Sequence, residues 1–216
     1  MKPVRNTRVI LILAVFLFFL PLLGHGTDNR SFAIIGDTGI GASDVHYRTF
    51  LGKIKSEGID LIVHTGDVID KPGSKEEWGK FFDITGSKLT VLISPGNHDV
   101  RTAKSLKVYE NLTGKNPYFT FTMGDTQMII LCTELPGEGS RITGKQLAWL
   151  SAELEKPFRY RFVFLHRPPF PAMYHMGTSL DRFEKDRDIL HSLLVRNSVN
   201  MVVAGHEHLY NRTTRD

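Results

Sequence analysis

Asp37, Asp67 and Asn97 recur at intervals of 30 residues, each beside a glycine, in Gly36-Asp37-Thr38-Gly39, Gly66-Asp67-Val68-Ile69-Asp70 and Pro95-Gly96-Asn97-His98-Asp99. Later in the chain, His166-Arg167-Pro168-Pro169 and Gly205-His206-Glu207-His208 add three histidines. Carboxylate and amide oxygens mixed with imidazole nitrogens suit borderline divalent ions such as Mn²⁺, Zn²⁺ or Fe²⁺, whereas Ca²⁺ prefers an all-oxygen shell. The six groups Asp37, Asp67, Asn97, His166, His206 and His208 exceed the three protein ligands of a typical catalytic zinc. Two ions sharing a carboxylate fit the count better. A pair about 3.5–4 Å apart stabilises the attacking and leaving oxygens of an in-line displacement, as in phosphoester hydrolysis. Each segment also has a plainer reading when taken alone. Gly-Asp is a common turn, Asn97-His98-Asp99 could cap a helix over residues 101–110, and His206 and His208 could share one face of an exposed strand end.

The elements between these segments decide whether they meet. Short apolar runs rich in Ile, Val and Phe precede each one, at Phe32–Ile35, Leu61–His64, Leu89–Ser94, Phe162–Leu165 and Met201–Val203. They read as buried strands. Helical stretches separate the first three: Val45, Tyr47, Phe50, Leu51 and Ile54 mark one apolar face, and Ser74-Lys75-Glu76-Glu77 has capping-box spacing before Trp78, Phe81 and Phe82. Residues 117–133 read as a hairpin around a Met-Gly-Asp-Thr turn, and helices are expected at Lys145–Leu154 and Asp181–Arg196. The order βαβαβα–ββ–αβαβ implies one α/β domain with a mixed β-sheet core flanked by helices. A βαβ unit of about 30 residues returns the chain to the same sheet edge. The polar segments therefore gather at the carboxyl ends of the strands, where open α/β sheets bind ligands.

Five motifs in this order, GD, GD, GNHD, a lone His and GHxH, resemble the calcineurin-like metallophosphoesterases from about Phe32 to His208; Gln146-Leu147-Ala148-Trp149-Leu150 resembles a further segment of that family. The resemblance implies a metallophosphoesterase-like αββα sandwich. It also implies a dinuclear centre of Mn, Fe or Zn that holds a bridging hydroxide for attack on phosphorus in a monoester or diester. By resemblance, Asp67 bridges the ions, Asp37 and His208 hold the first, and Asn97, His166 and His206 hold the second. His98 would stand by the leaving group, with Asp99 orienting its imidazole. Substrate contacts are expected from Arg167 and from His175, in the loop 168–179. Many members begin with Asp-x-His, but here the third residue is Gly39. Purple acid phosphatases share GDxG and supply a Tyr three residues after the second Asp, where this chain has Asp70. The first ion is thus expected to be held more weakly. Eight residues follow His208, so the second sheet is expected to be incomplete. The alternative function is a truncated or degenerate metal-binding or interaction domain with little catalysis.

Charge and composition narrow the setting. The chain has 216 residues, is 41% hydrophobic and 23% charged, and carries a net +4, values that exclude global disorder and a multi-pass membrane protein. Residues 1–26 hold Lys2, Arg5 and Arg8, an apolar run from Val9 to Leu23, and the small residues Gly24 and Gly26. This reads as a cleavable export signal followed by a metallophosphoesterase domain at 27–216, which gives a secreted or periplasmic protein. An uncleaved N-terminal membrane anchor is the alternative, although the run is shorter than the ~20 residues that span a bilayer. Removing the segment leaves 24 basic and 23 acidic residues, so no nucleic-acid partner is expected; the expected partner is a small phosphoester. A single cysteine, Cys132, excludes an internal disulfide framework. His64 is expected to be a packed strand residue rather than a ligand.

Overall fold

The computed structural model describes residues 31–214; the expected export signal at 1–26 lies outside the described residues. Among the described residues, seven strands and five α-helices follow in the order β1 (Ala33–Ile35), α1 (Val45–Ser56), β2 (Leu61–His64), α2 (Lys75–Thr85), β3 (Thr90–Ile93), α3 (Ala103–Thr113), β4 (Phe119–Met123), β5 (Thr126–Ile130), α4 (Gly144–Leu154), β6 (Tyr160–Leu165), α5 (Glu184–Arg196) and β7 (Met201–Ala204). The strands form two sheets rather than one. β1-β2-β3 is wholly parallel, with Ile34 opposite Val63 and Val63 opposite Leu92. β4-β5-β6-β7 is mixed, because the β4–β5 hairpin is antiparallel while β5, β6 and β7 run parallel.

Three apolar clusters define the layers. Leu61, Val63 and Leu92 from the first sheet meet Met128, Ile130 and Phe164 from the second, so the sheets pack face to face. Tyr47, Trp78, Phe81, Val108 and Tyr109 of α1, α2 and α3 cover the outer face of the first sheet. Leu150, Leu154, Leu190, Leu193 and Leu194 of α4 and α5 cover the second. The arrangement is an αββα sandwich, and each fully buried Leu, Ile or Phe side chain contributes about 1.5–3 kcal/mol through removal from water. No helix among the described residues is long and apolar enough to cross a membrane.

The ends of the elements depart from the pattern-based expectations in informative ways. Helix α3 is capped by Thr102, whose side chain accepts from the Ser105 N–H, so Asn97-His98-Asp99 is not its cap. Ser74 does cap α2, accepting from the Glu77 N–H at 3.3 Å. The other half of the capping box is absent. Glu77 Oε2 instead accepts from the N–H groups of Asp70 (3.0 Å) and Lys71 (2.8 Å), which ties α2 to the loop after β2. The last helix enters through a 3₁₀ turn, Leu180–Phe183. Gln146 of α4 exchanges both amide bonds with the Cys132 backbone, at 2.8 and 2.9 Å, and so pins the chain just past β5.

The two sheets share no strand. The hydrogen bonds that join them come from the carboxyl ends of their strands. Ser94 Oγ donates to Leu131 O at 2.6 Å, His166 Nδ1 lies 2.9 Å from Thr65 O, and the His206 N–H donates to Asp37 at 3.0 Å.

Candidate metal and active site

Every expected site segment follows a strand at this end of the sandwich. The first sheet supplies Asp37 after β1, Asp67 after β2 and Asn97, His98 and Asp99 after β3; the second supplies His166 and Arg167 after β6 and His206 and His208 after β7. The backbone turns sharply as it leaves these strands. Among the described residues, six other than glycine have positive φ, and four of them are Asp37 (55°), Asp67 (52°), His206 (73°) and His208 (50°). A left-handed residue costs roughly 1–2 kcal/mol, and such strain gathers at functional sites. Glycine makes room for this crowding. A Cβ on Gly66 would stand 2.6 Å from His166 Nδ1, and one on Gly96 would stand 2.2 Å from Asp67 Oδ1.

The tightest part of the site surrounds His166. Its Nε2 lies 3.1 Å from His206 Nδ1, 3.2 Å from Asn97 Oδ1 and 3.4 Å from Asp67 Oδ1. With Nδ1 directed at the Thr65 carbonyl, Nε2 is the atom presented to the cluster. Asp67, His166 and His206 offer ligand atoms all within 4.8 Å of one another. Burial disfavours charge on His166, yet the hydrogen bond and charge of Asp67, joined by Asp37 and Glu134, push its pKa up to about 9. Burial also raises the Asp67 carboxyl, but His166 and the His98 N–H outweigh it and hold the group at about 2. Burial and the charges of His166 and Arg167 push His206 down to about 3. One proton on His166 Nε2 answers only one of the three polar atoms facing it. A divalent cation answers oxygen and nitrogen donors together, so this donor set fits such an ion.

The Asp37 side is more open. Asp37 accepts from the His206 N–H through both oxygens, and His208 Nε2 lies 3.5 Å away with its side chain 68% exposed. Burial raises the Asp37 carboxyl, opposed by His166. Gly39 (φ 53°) has open space where a side chain would begin. A cavity of about 560 Å³ opens here, lined by Asp37, Thr65, His46 and His208.

Other expected residues take parts that sequence reading did not foresee. His98 stands on the lip of a cleft of about 390 Å³ with Asp70, Asn97, Arg101, Glu134 and Arg167. Its Nδ1 lies 2.6 Å from the Asp70 carbonyl, and its backbone N–H donates to Asp67. Asp99 does not orient that imidazole. Its buried carboxylate is occupied by the N–H groups of Val68 (2.9 Å), Ile69 (3.2 Å) and Gly96 (2.8 Å), which lock the loops after β2 and β3 together. Burial, reinforced by the Asp67 charge, pushes the Asp99 pKa up to about 7. Arg167 has no spare donor for substrate: its guanidinium reaches Glu134, Asn97, His206 and Thr178 O. The His175 ring lies against that of His206, with centroids 3.8 Å apart and planes tilted by 32°. His64 is packed beneath the site as expected. Its Nδ1 accepts from the Gly66 N–H, its Nε2 faces Thr38 Oγ1, and burial pushes it down to about 3. Sequence reading missed Glu134 and Glu207, both buried carboxylates bound to segments distant in sequence.

Residues 30–210 match the family described as Calcineurin-like phosphoesterase. The chain belongs to this family. Among curated calcineurin-like phosphoesterase relatives, Purple acid phosphatase 21 of Arabidopsis thaliana is 29% identical over 203 residues, covering 84% of this chain and 44% of that protein. A probable cyclic nucleotide phosphodiesterase of Moraxella catarrhalis is 24% identical over 203 residues, covering 84% of this chain and 73% of that protein. The chain thus spans under half of Purple acid phosphatase 21 and 33% of Purple acid phosphatase 23 from the same plant. In fold, it is similar to purple acid phosphatase PPD1 from yellow lupin (TM-score 0.67, 18% identity, 83% of this chain and 38% of that one). It is also similar to a dimetal phosphatase from Danio rerio (TM-score 0.55, 15% identity, 82% and 81%).

Proposed function

We propose that this calcineurin-like phosphoesterase hydrolyses small phosphoesters at a centre of two divalent cations. The observation that carries the proposal is the convergence of Asp67, Asn97, His166 and His206 on one point beside the cleft that His98 lines. Asn97, His166 and His206 would hold one ion, Asp37 and His208 the other, and Asp67 both. When bound, such ions would supply positive charge to the phosphoryl oxygens and would acidify water. The protein's own groups do the rest. Asp99 and Arg167 hold the loops and ligands in place, which removes reorganisation from the reacting state. With Nδ1 anchored on the Asp70 carbonyl, the His98 imidazole presents Nε2 to the cleft, where it would donate a proton to the leaving oxygen. The organic part of the ester would lie along Glu134, Leu135 and Pro136, and His175 would wall the opposite side. We also propose export, on the strength of the basic and apolar residues 1–26.

Turnover of 4-nitrophenyl phosphate and bis(4-nitrophenyl) phosphate with added Mn²⁺, together with metal content by mass spectrometry, tests this reading. Two ions and release of nitrophenol are expected, and the preferred ester separates monoesterase from diesterase. The open Asp37–His208 side and Gly39 favour one rival, a metal-binding domain with little catalysis. One bound ion with no turnover of either ester would establish that rival.

A further inference from the structure

Glu207 lies between two expected metal ligands, yet its carboxylate faces away from them. It is 6% exposed, and none of its hydrogen bonds is to a ligand side chain. Its Oε2 accepts from the N–H groups of Ala172 (3.1 Å) and Met173 (2.8 Å), and its Oε1 accepts from the N–H of His175 (2.8 Å). A buried carboxylate that collects three N–H groups from one loop is a fastener, because losing it leaves an irregular stretch of backbone without partners. Between the flanking anchors, Phe170 against His191 and Thr178 O, which accepts from Arg167 and Ser140, the loop exposes Met173, Tyr174 and Met176. Within 172–176, His175 is the residue that folds inward, its ring tilted against that of His206, the residue next to Glu207 in sequence. The left-handed turns at His206 and His208 direct neighbouring side chains to different places, so one short segment faces both the candidate ion and the loop.

We propose that Glu207 is a positioning residue that holds His175, and with it the wall formed by loop 168–179, against the site, and thereby sets substrate affinity. This rests on the hydrolase reading of the same site. The carboxylate makes no contact with substrate; it acts through the loop backbone. The apolar Met173, Tyr174 and Met176 side chains would then be displayed at a fixed place on the rim, suited to an ester with an aromatic or aliphatic leaving group.

The test uses the full chain loaded with Mn²⁺ and 4-nitrophenyl phosphate as the probe. Glu207→Ala is expected to raise KM about 10-fold with kcat within about 3-fold of wild type, the order of effect seen when a residue supporting a site is lost. Metal content should not change. The amides of Ala172, Met173 and His175 should exchange with deuterium at least about 10-fold faster, as freed backbone does. Glu207→Gln, similar in size, should fall between, because its amide oxygen still accepts while its NH₂ cannot. In a His175→Ala background, Glu207→Ala should add less than about 2-fold to KM, since coupled residues are not additive. A loss of metal, a fall in kcat at constant KM, or full additivity with His175→Ala would overturn the proposal. Absence of wild-type turnover would instead count against the hydrolase reading, and unchanged amide exchange in Glu207→Ala would still refute the fastening.

Discussion

The two sides of the candidate centre differ in what holds them. Around His166, the ligand atoms are buried and tied from behind by Thr65 O, the His98 N–H and the Arg167 guanidinium. Around Asp37, the partner His208 lies largely in solvent, Gly39 contributes no side chain, and a wide cavity opens alongside. A ligand set gathered by the protein needs no reorganisation to bind an ion, whereas a loose one must be ordered by the ion itself. On the two-ion proposal, the difference predicts that an ion on the His166 side would be resident and one on the Asp37 side held conditionally.

The sharpest way to break this comparison is to remove a ligand from each side. His166→Ala should abolish retention of the second ion and lower kcat/KM by about 10³-fold, the scale of losing a principal electrostatic group. Next in size, His98→Ala should cost about 10²-fold in kcat with ion content unchanged, as expected for a proton donor. His208→Ala should weaken the first ion only about 10-fold and be rescued by raised Mn²⁺ in an activity titration. If His208→Ala proved as damaging as His166→Ala, the asymmetry would be refuted. Gly39→His should strengthen the first site in the same titration. The open space there admits the ring, and its positive φ costs a β-carbon about 1 kcal/mol, visible as a small fall in melting temperature.

A separate prediction concerns acid. His64 supports the Asp37 loop through Thr38, and its folded pKa of about 3 lies below its ordinary 6.5. Between these values the unfolded chain takes up a proton that the folded chain refuses, so stability is lost as pH falls below about 6.5. The expected cost is about 2 kcal/mol at pH 5. Thermal unfolding at pH 7.5 and pH 5 should show a flatter dependence in His64→Gln, which cannot titrate; an unchanged slope would remove His64 from the account.

Much of this site was legible in the sequence because a βαβ repeat converts distance along the chain into position on a sheet edge. Asp37, Asp67 and Asn97 declare that repeat by their spacing, and the Ser74 cap and the 119–130 hairpin follow from local chemistry. The division into two sheets was not readable from periodicity, since β3 and β4 look like any neighbouring strands; the family resemblance supplied it. What stayed hidden has one physical form. Asp99 serves backbone N–H groups about 30 residues away, Glu134 holds Arg167 at a separation of 33, and Glu207 serves a loop more than 30 residues upstream. Any residue can offer a backbone N–H, so the partners of Asp99 and Glu207 leave no mark in the sequence, and nothing local pairs Glu134 with the Arg167 guanidinium. A carboxylate's type announces that it will bind something, and only the fold says what.

The joints between the two sheets are concentrated where the chemistry is. Away from that end, the described residues of the two layers meet through an apolar cluster that includes Leu61, Val63, Met128 and Phe164. The sandwich therefore resembles a book clasped at the carboxyl ends of its strands by its inter-sheet hydrogen bonds, and on the proposed reading ions held there would bridge the covers further. A ligand at 100 times its Kd stabilises the folded state by about 2.7 kcal/mol. On the two-ion proposal that gain would fall on the clasp, and melting temperature would double as a gauge of metal loading. Chemical competence and mechanical closure are then two readings of the same bonds.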